Sequence, residues 1–211
     1  MRPWIVITLL LLIIPVFSIV SEYLIFRFQQ NTTMKIPDHL TLQEGDLVFR
    51  RGKSMESFAV VMAEQKGDFS HIGLIVMEEK MLYVIHIEPD DNFPGGDRVR
   101  KEPLQRFLDP EKASHFAIYR SHLDRKNLAM VAEQARDFFR KGSRFDHSYN
   151  LQTDQALYCT ELVLKAYQRG SLSFSRLIQK TDKVRLLMVT KNILMPEAFI
   201  RSHLFYKICA Q

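Results

Sequence analysis

Hydrophobic positions along this chain fall into three regimes: an unbroken apolar run, a polar stretch, and a long region where periods of two and of about 3.6 alternate. No side chain between Pro3 and Ser21 is charged, and Trp4 to Ile7 followed by Leu9 to Ile14 is apolar enough to cross a bilayer as a helix. Tyr23 to Phe26 resume the apolar character after Glu22. Gln29 to His39 then read as a polar tether. The pattern divides the chain into a membrane anchor or signal segment (1–28), a tether (29–41) and a folded domain (42–211). Val16, Ser18 and Ser21 make only fair cleavage positions, so an uncleaved anchor is expected in preference to a removed signal peptide. Arg2 on one side, with Arg27 and Lys35 on the other, leaves the direction of insertion open.

Within the domain, Gly45 and Asp46 signal a turn, and Leu47 to Phe49 a short buried strand. Met55 to Ala63 is apolar on a helical period. Gly67 and Asp68 break the chain before a strand over Ser70 to Met77, a hairpin loop at Glu78 to Lys80, and a second strand over Leu82 to Ile87. Pro89 to Gly96 reads as a loop, Leu104 to Leu108 as a short helix, and Phe116 to Tyr119 as a further strand. Leu128, Val131, Ala132, Ala135, Phe138 and Phe139 share one face of an amphipathic helix. A last helix is expected from near Asp154 to about Gln168, stopped by Gly170. Strands clustered between two helical regions predict an α+β fold with a small antiparallel sheet, not a doubly wound one.

Composition narrows the function. Hydrophobic residues at 46% and charged residues at 25% are those of an ordinary globular domain. The formal charge of +5 rests on weak clusters, Arg50, Arg51 and Lys53, then Arg98, Arg100 and Lys101. Neither is interleaved with aromatics, so no nucleic-acid partner is expected, and a solvated basic face near anionic membrane is the simpler reading. Two cysteines, Cys159 and Cys209, exclude a disulfide-dense scaffold and a four-cysteine zinc site.

Candidate chemistry centres on Cys159. It lies early in the helix expected to open at Asp154, Gln155 and Ala156, where amide donors and the positive helix end would favour a thiolate. His71 starts a strand, where it is expected at the rim of the core. His86 and Glu88 share one face of the next strand, within reach of a histidine on its neighbour. On the residues alone, a buried structural cysteine, a surface histidine and a solvated strand face remain open. Asp68 and Asp146 suit turns or caps, and Tyr158 and Tyr167 suit core packing. A metal site built from His71, His86, Glu88 and Cys159 is a further alternative. The expectation is no metal and no cofactor.

Four segments, in order, carry a resemblance: Gly45-Asp46-Leu47-Val48-Phe49, Phe69-Ser70-His71-Ile72-Gly73-Leu74, Tyr83-Val84-Ile85-His86, and Tyr158-Cys159-Thr160-Glu161-Leu162-Val163. Over Leu42 to Tyr167 the chain resembles the YiiX/YebB-like permuted papain-like amidases, a family similar to the NlpC-type cell-wall cysteine hydrolases and, more distantly, to lecithin–retinol acyltransferase-like enzymes. The resemblance implies a circularly permuted papain-like (NlpC-type) fold, with Cys159 as nucleophile and His71 as general base. The third catalytic position falls on His86, where YiiX-like proteins usually carry glutamate; the acyltransferase branch uses a histidine in a similar strand context. Glu88 is the reserve for that position, and Tyr158 a possible support.

The implied reaction is cleavage of an amide or ester, in cell-wall peptide or lipid, through a Cys159 acyl-enzyme. A Cys159–Cys209 bridge, which would consume the nucleophile, is not expected. An acyltransferase using the same acyl-enzyme and a catalytically silent binding domain are the alternatives. The domain is expected outside the cytoplasm, periplasmic in a bacterium, or secreted if the N-terminus is cleaved. The sequence leaves the oligomeric state open.

Overall fold

Strand alternation and helix caps account for most of the architecture in the computed structural model, which describes residues 18–25, 34–64, 67–89, 96–151, 153, 156–171, 182–186 and 189–211. Most of the charge-free N-terminal run lies outside these residues; residues 18–25 are helical. Among the described residues no helix is long and apolar enough to cross a membrane. The loop read at Pro89 to Gly96 also falls largely outside them.

The elements are β1 (Leu47–Gly52), α1 (Met55–Ala63), β2 (His71–Glu78), β3 (Met81–His86), β4 (Arg100–Pro103), α2 (Leu104–Phe107), β5 (Ala113–Ser121), α3 (Arg125–Lys141), β6 (Arg144–Phe145), β7 (Ala156–Leu157), α4 (Cys159–Gly170), β8 (Asp182–Leu186), β9 (Val189–Ile193), α5 (Pro196–Arg201) and β10 (Phe205–Ala210). Six strands form one antiparallel sheet in the order β10-β5-β1-β2-β3-β4. The β2–β3 hairpin turns on Glu79 and Lys80, both at positive φ (49° and 67°), the twist that suits a tight hairpin.

Because side chains alternate across a strand, the sheet buries two cores. Leu47, Phe49, Ile72, Leu74, Val76, Ile85 and Ile87 face α3, α4 and α5. Val48, Ile75, Val84, Phe116 and Ile118 face the short helix α2, with Leu104 and Phe107. The mixed fold of antiparallel sheet and packed helices is thus the α+β class expected from the pattern.

Caps lengthen α3 beyond its apolar stripe. The Asp124 side chain accepts from Asn127 N–H at 2.8 Å, and Gly142 ends the helix in the left-handed region at φ 62°. The last long helix departs further from expectation. It starts at Cys159, not near Asp154, because Ala156 and Leu157 are drawn into a parallel pair with Arg144 and Phe145. Asp154 and Gln155 lie outside the described residues. Gly170 is the last residue of α4, not a stop beyond it. Its role is packing: a Cβ there would stand 2.5 Å from Val131 N and 2.6 Å from its Cα, so only glycine lets α4 approach the α3 backbone this closely. The strands β8, β9 and β10 have no counterpart in the sequence reading. Weak alternation and exposed positions along β10 (Tyr206, Lys207 and Ala210) hide the edge strand that pairs with β5.

Since backbone cannot yield as a flexible side-chain tip can, Gly170→Ala is expected to lower unfolding free energy by about 2 kcal/mol or more, measured by urea denaturation.

Candidate active site

Sheet register assembles the polar cluster. Arg50 pairs with His71 across β1 and β2, and Leu74 with Ile85 across β2 and β3. Continuing the second register sets Gly73 opposite His86 and His71 opposite Glu88, all on the face that packs against α2. A Cβ at Gly73 would lie 2.3 Å from Val84 Cγ1 and 3.2 Å from His86 Cβ, so the missing side chain makes room for Val84 and, beside it, His86.

His71 Nε2 lies 3.0 Å from His86 Nδ1, and His86 Nε2 lies 3.0 Å from Glu102 Oε1. Both rings are buried, at 6% and 0% exposure, so His71 is not at the rim as the sequence suggested. Phe107 closes the cluster, stacked on His71 (centroids 5.6 Å apart, 30° between planes) and edge-on to His86 (5.0 Å). Burial works against the Glu102 carboxylate, but His86 and Lys112 hold its pKa below the ordinary value and keep it anionic. The 3.0 Å approach of the Glu102 anion is an ion-pair distance without hydrogen-bond geometry, yet it favours the tautomer with the His86 proton on Nε2, in which Nδ1 accepts from His71 Nε2–H and His71 Nδ1 keeps its lone pair.

Glu88 is placed differently from the reserve role. Its Oε2 is 4.0 Å from His71 Nε2, while Arg50 Nη2 donates to the same oxygen at 2.5 Å and Arg100 Nη1 to Oε1 at 3.3 Å. Burial alone would raise its pKa; the cations, led by Arg50, hold it well below the usual carboxylate range. Arg50 itself donates to Phe107 O at 2.9 Å and lies over that ring.

Cys159 is the first residue of α4 and shares a cavity of about 110 Å³ with His71, Glu88, Tyr149 and Val60. The backbone N–H of Ile72, from β2, and those of Thr160 and Cys159, at the helix start, address its sulfur. Burial nonetheless outweighs them and pushes the thiol up to about 11, so the resting group is a thiol and not the thiolate expected from position alone. Burial, and then Arg50, also push the His71 pKa well below 6.5. The resting pair is therefore neutral. Cys159 and Cys209 are both free.

The remaining candidates have structural partners. Tyr158 is buried, and its hydroxyl accepts from Leu194 N–H at 3.2 Å. Tyr167 donates to Gly45 O at 2.6 Å. Asp146 accepts from Ser148 N–H (2.8 Å) and Asn150 N–H (2.6 Å), forming a turn that holds Tyr149 at φ 53° beside the cavity. Asp68 does not line the cavity. Sequence reasoning missed Glu102 and Tyr149 and took Arg50 and Arg100 for surface charge. Only recognition of β4 as the partner of β3 would have pointed to Glu102.

Among the described residues, His71, His86 and Glu88 come close enough to suggest a metal site, with ligand atoms all within 4.8 Å of one another. As arranged, they do not fit one. The two ring nitrogens are committed to each other at 3.0 Å, and both Glu88 oxygens are engaged by guanidinium groups, whose charges would repel a dication.

The fold is that of a solved structure, the metalloprotein yiiX from Escherichia coli O157:H7, with a TM-score of 0.64 and 20% identity over 82% of this chain and 99% of that one. No curated protein matches the sequence. The family model for permuted papain-like amidase enzymes, the YaeF/YiiX, C92 family, matches residues 41–209, and the chain belongs to that family. Membership supports an amidase-like cysteine hydrolase.

Glu88→Gln removes the anion that the buried Arg50 and Arg100 guanidinium groups share and is expected to cost about 3 kcal/mol of stability at pH 7. A depressed folded pKa contributes stability above the unfolded value and loses it as pH falls. The gap between wild type and variant should therefore narrow below about pH 4.3 in denaturant titrations at successive pH values.

Proposed function

We propose that this protein hydrolyses amide or ester bonds through a Cys159 acyl-enzyme, with His71 Nδ1 as the base and His86 and Glu102 fixing its tautomer. One observation carries the reading: the ordered chain Glu102, His86, His71 leaves a single basic nitrogen on a residue that shares its cavity with the thiol.

As Cys159 Sγ attacks the substrate carbonyl, its proton passes to His71 Nδ1. The Cys159 N–H, which starts α4 and addresses its own sulfur at rest, is suited to hold the developing oxyanion, a contact worth about 3 kcal/mol. His71 then protonates the departing amine or alcohol, leaving a thioester. Water attacks that thioester, gives its proton to His71 and releases the acid and the thiol. The imidazolium formed transiently on His71 is balanced by Glu102 through His86 and by Glu88 at 4.0 Å. Glu88 acts here as a counter-ion for Arg50 and Arg100, not as the orienting group.

The charge-free run from Pro3 to Ser21 supports a membrane-anchored enzyme with its domain outside the cytoplasm, or a secreted one if the run is removed. Cell-wall peptide and lipid are the substrate classes in view. The neutral thiol also favours a second reading, a catalytically silent binding domain. A burst of p-nitrophenol from p-nitrophenyl acetate that disappears in both Cys159→Ala and His71→Ala supports the enzyme; an unchanged burst in either variant overturns the assignment.

Glu102→Gln can present an N–H to His86 Nε2, reversing both tautomers and placing the proton on His71 Nδ1. The expected loss in kcat is about 10²-fold or more, with the fold intact by circular dichroism and Cys159→Ala as the zero-activity reference.

Because a lowered pKa keeps His71 unprotonated into acid, kcat/KM should stay level from neutrality down past pH 6.5 and fall only below it. A pH profile whose acid limb lies at or above 6.5 contradicts the buried, Arg50-shifted base.

A further inference from the structure

Glu161 and Lys165 lie one turn apart on α4, the helix that opens with Cys159, and the reaction derived above uses neither. Their side chains are 0% and 10% exposed, with Lys165 Nζ 2.7 Å from Glu161 Oε1. Burial pushes the Glu161 pKa up to about 6 against the pull of Lys165, so this anion is kept in the interior at a cost. Two apolar side chains would hold α4 in the core as well or better, and stability alone does not account for the pair. Each member makes a second contact, and both contacts lead to the cavity. Glu161 Oε2 accepts from Tyr158 N–H at 3.3 Å, which fixes the backbone immediately before the nucleophile. Lys165 Nζ donates to Thr153 O, and Thr153 N–H donates to Asn150 O at 3.4 Å. Asn150 belongs to the Asp146 turn that holds Tyr149 at φ 53°. Tyr149 completes the circuit: it meets Tyr158 edge-on, with ring centroids 5.3 Å apart, and lines the cavity beside Cys159.

Resting on the hydrolase reading above, we infer that Glu161 and Lys165 are positioning residues: the pair fastens the loop over 146–153 to the start of α4, and so sets Tyr149 and the Cys159 thiol in register on the cavity wall. The near end of the loop is held by the backbone, Asp146 N–H donating to Leu157 O at 3.0 Å. Its far end, at the exposed Thr153, is held by Lys165. Lysine suits this post because three donors on one nitrogen can serve a carboxylate and a carbonyl together. Methionine fills similar space but can serve neither. Glu161 touches the backbone on the nucleophile's side and Lys165 the backbone on the tyrosine's side, with one ion pair between them. The consequence is geometric: a shift of about 1 Å in the thiol, or in the wall beside it, is enough to slow attack on a bound carbonyl about tenfold or more.

The test compares Lys165→Met alone with Glu161→Gln and Lys165→Met together, in the full chain. Lys165→Met strands a buried carboxylate and should lower the urea midpoint. The double variant removes both charges, keeps a carbonyl for Tyr158 N–H, and should return the midpoint toward wild type. The rate of the p-nitrophenol burst from p-nitrophenyl acetate should nonetheless stay about tenfold or more below wild type in both variants. In hydrogen exchange, the amides of Ser148, Tyr149 and Asn150 should lose about tenfold in protection in the double variant, while those of Ile72 to Val76 in β2 keep theirs. Exchange decides the matter whether or not the midpoint recovers. A burst rate that recovers together with the midpoint, or protection lost across the whole domain or not at all, overturns the proposal. Protection lost in the loop alone, with no burst from the wild type, upholds the fastening but sinks the hydrolase reading, and the catalytic role of the pair with it.

Discussion

Two buried imidazoles facing each other at 3.0 Å accommodate one proton between them and little net positive charge, and the rest of the site is arranged around that restriction. Arg50 stands opposite His71 in the sheet, and Arg100 opposite His86. Without anions, either cation would make the site untenable in a dry interior. Glu88 neutralises the guanidinium groups while Glu102 lies against His86, so the two carboxylates divide the work by position instead of competing for one histidine. Phe107 covers one side of both rings, which strengthens the charges in the cluster.

The same restriction reconciles the two departures of the thiol and the imidazole from their ordinary pKa values. Burial disfavours both the thiolate and the imidazolium, so Cys159 and His71 form no ion pair with each other at rest. Charge separation is confined to the moment of reaction, when the Ile72, Thr160 and Cys159 amides and the two carboxylates are already in place. Such preorganisation is the usual source of catalytic advantage in a water-poor cavity.

How much of this was legible beforehand depended on the range of the signal. Apolar runs between turn signals located β2 and β3, whose inner residues are buried on both faces, and the 3.6 period located α1 and α3. Cys159, His71 and His86 stood out because their local motifs are distinctive. Glu102 did not, since its meaning comes from β4 lying beside β3, and Arg98 to Pro103 is too charged to read as a strand. Arg50 looked like surface charge because only alternation with Val48 places it inward. The start of α4 was misplaced because β6 and β7 claim Ala156 and Leu157 through a pairing that no local preference announces. Edge strand β10, half solvated and bulged near Lys207 and Cys209, carries almost no period-two signal.

The fastening of α4 has a consequence for biosynthesis. Thr160 donates to Leu194 O at 2.6 Å, and Tyr158 accepts from Leu194 N–H, so the helix bearing the nucleophile is secured by a residue made 34 positions after Thr160. The sheet that carries His71 likewise gains its outer strand only when residues 205–210 pair with β5. During synthesis the base and its partners emerge first, the thiol next, and the clamp that seats the thiol last. A nascent chain therefore holds every reactive group before it holds an active site.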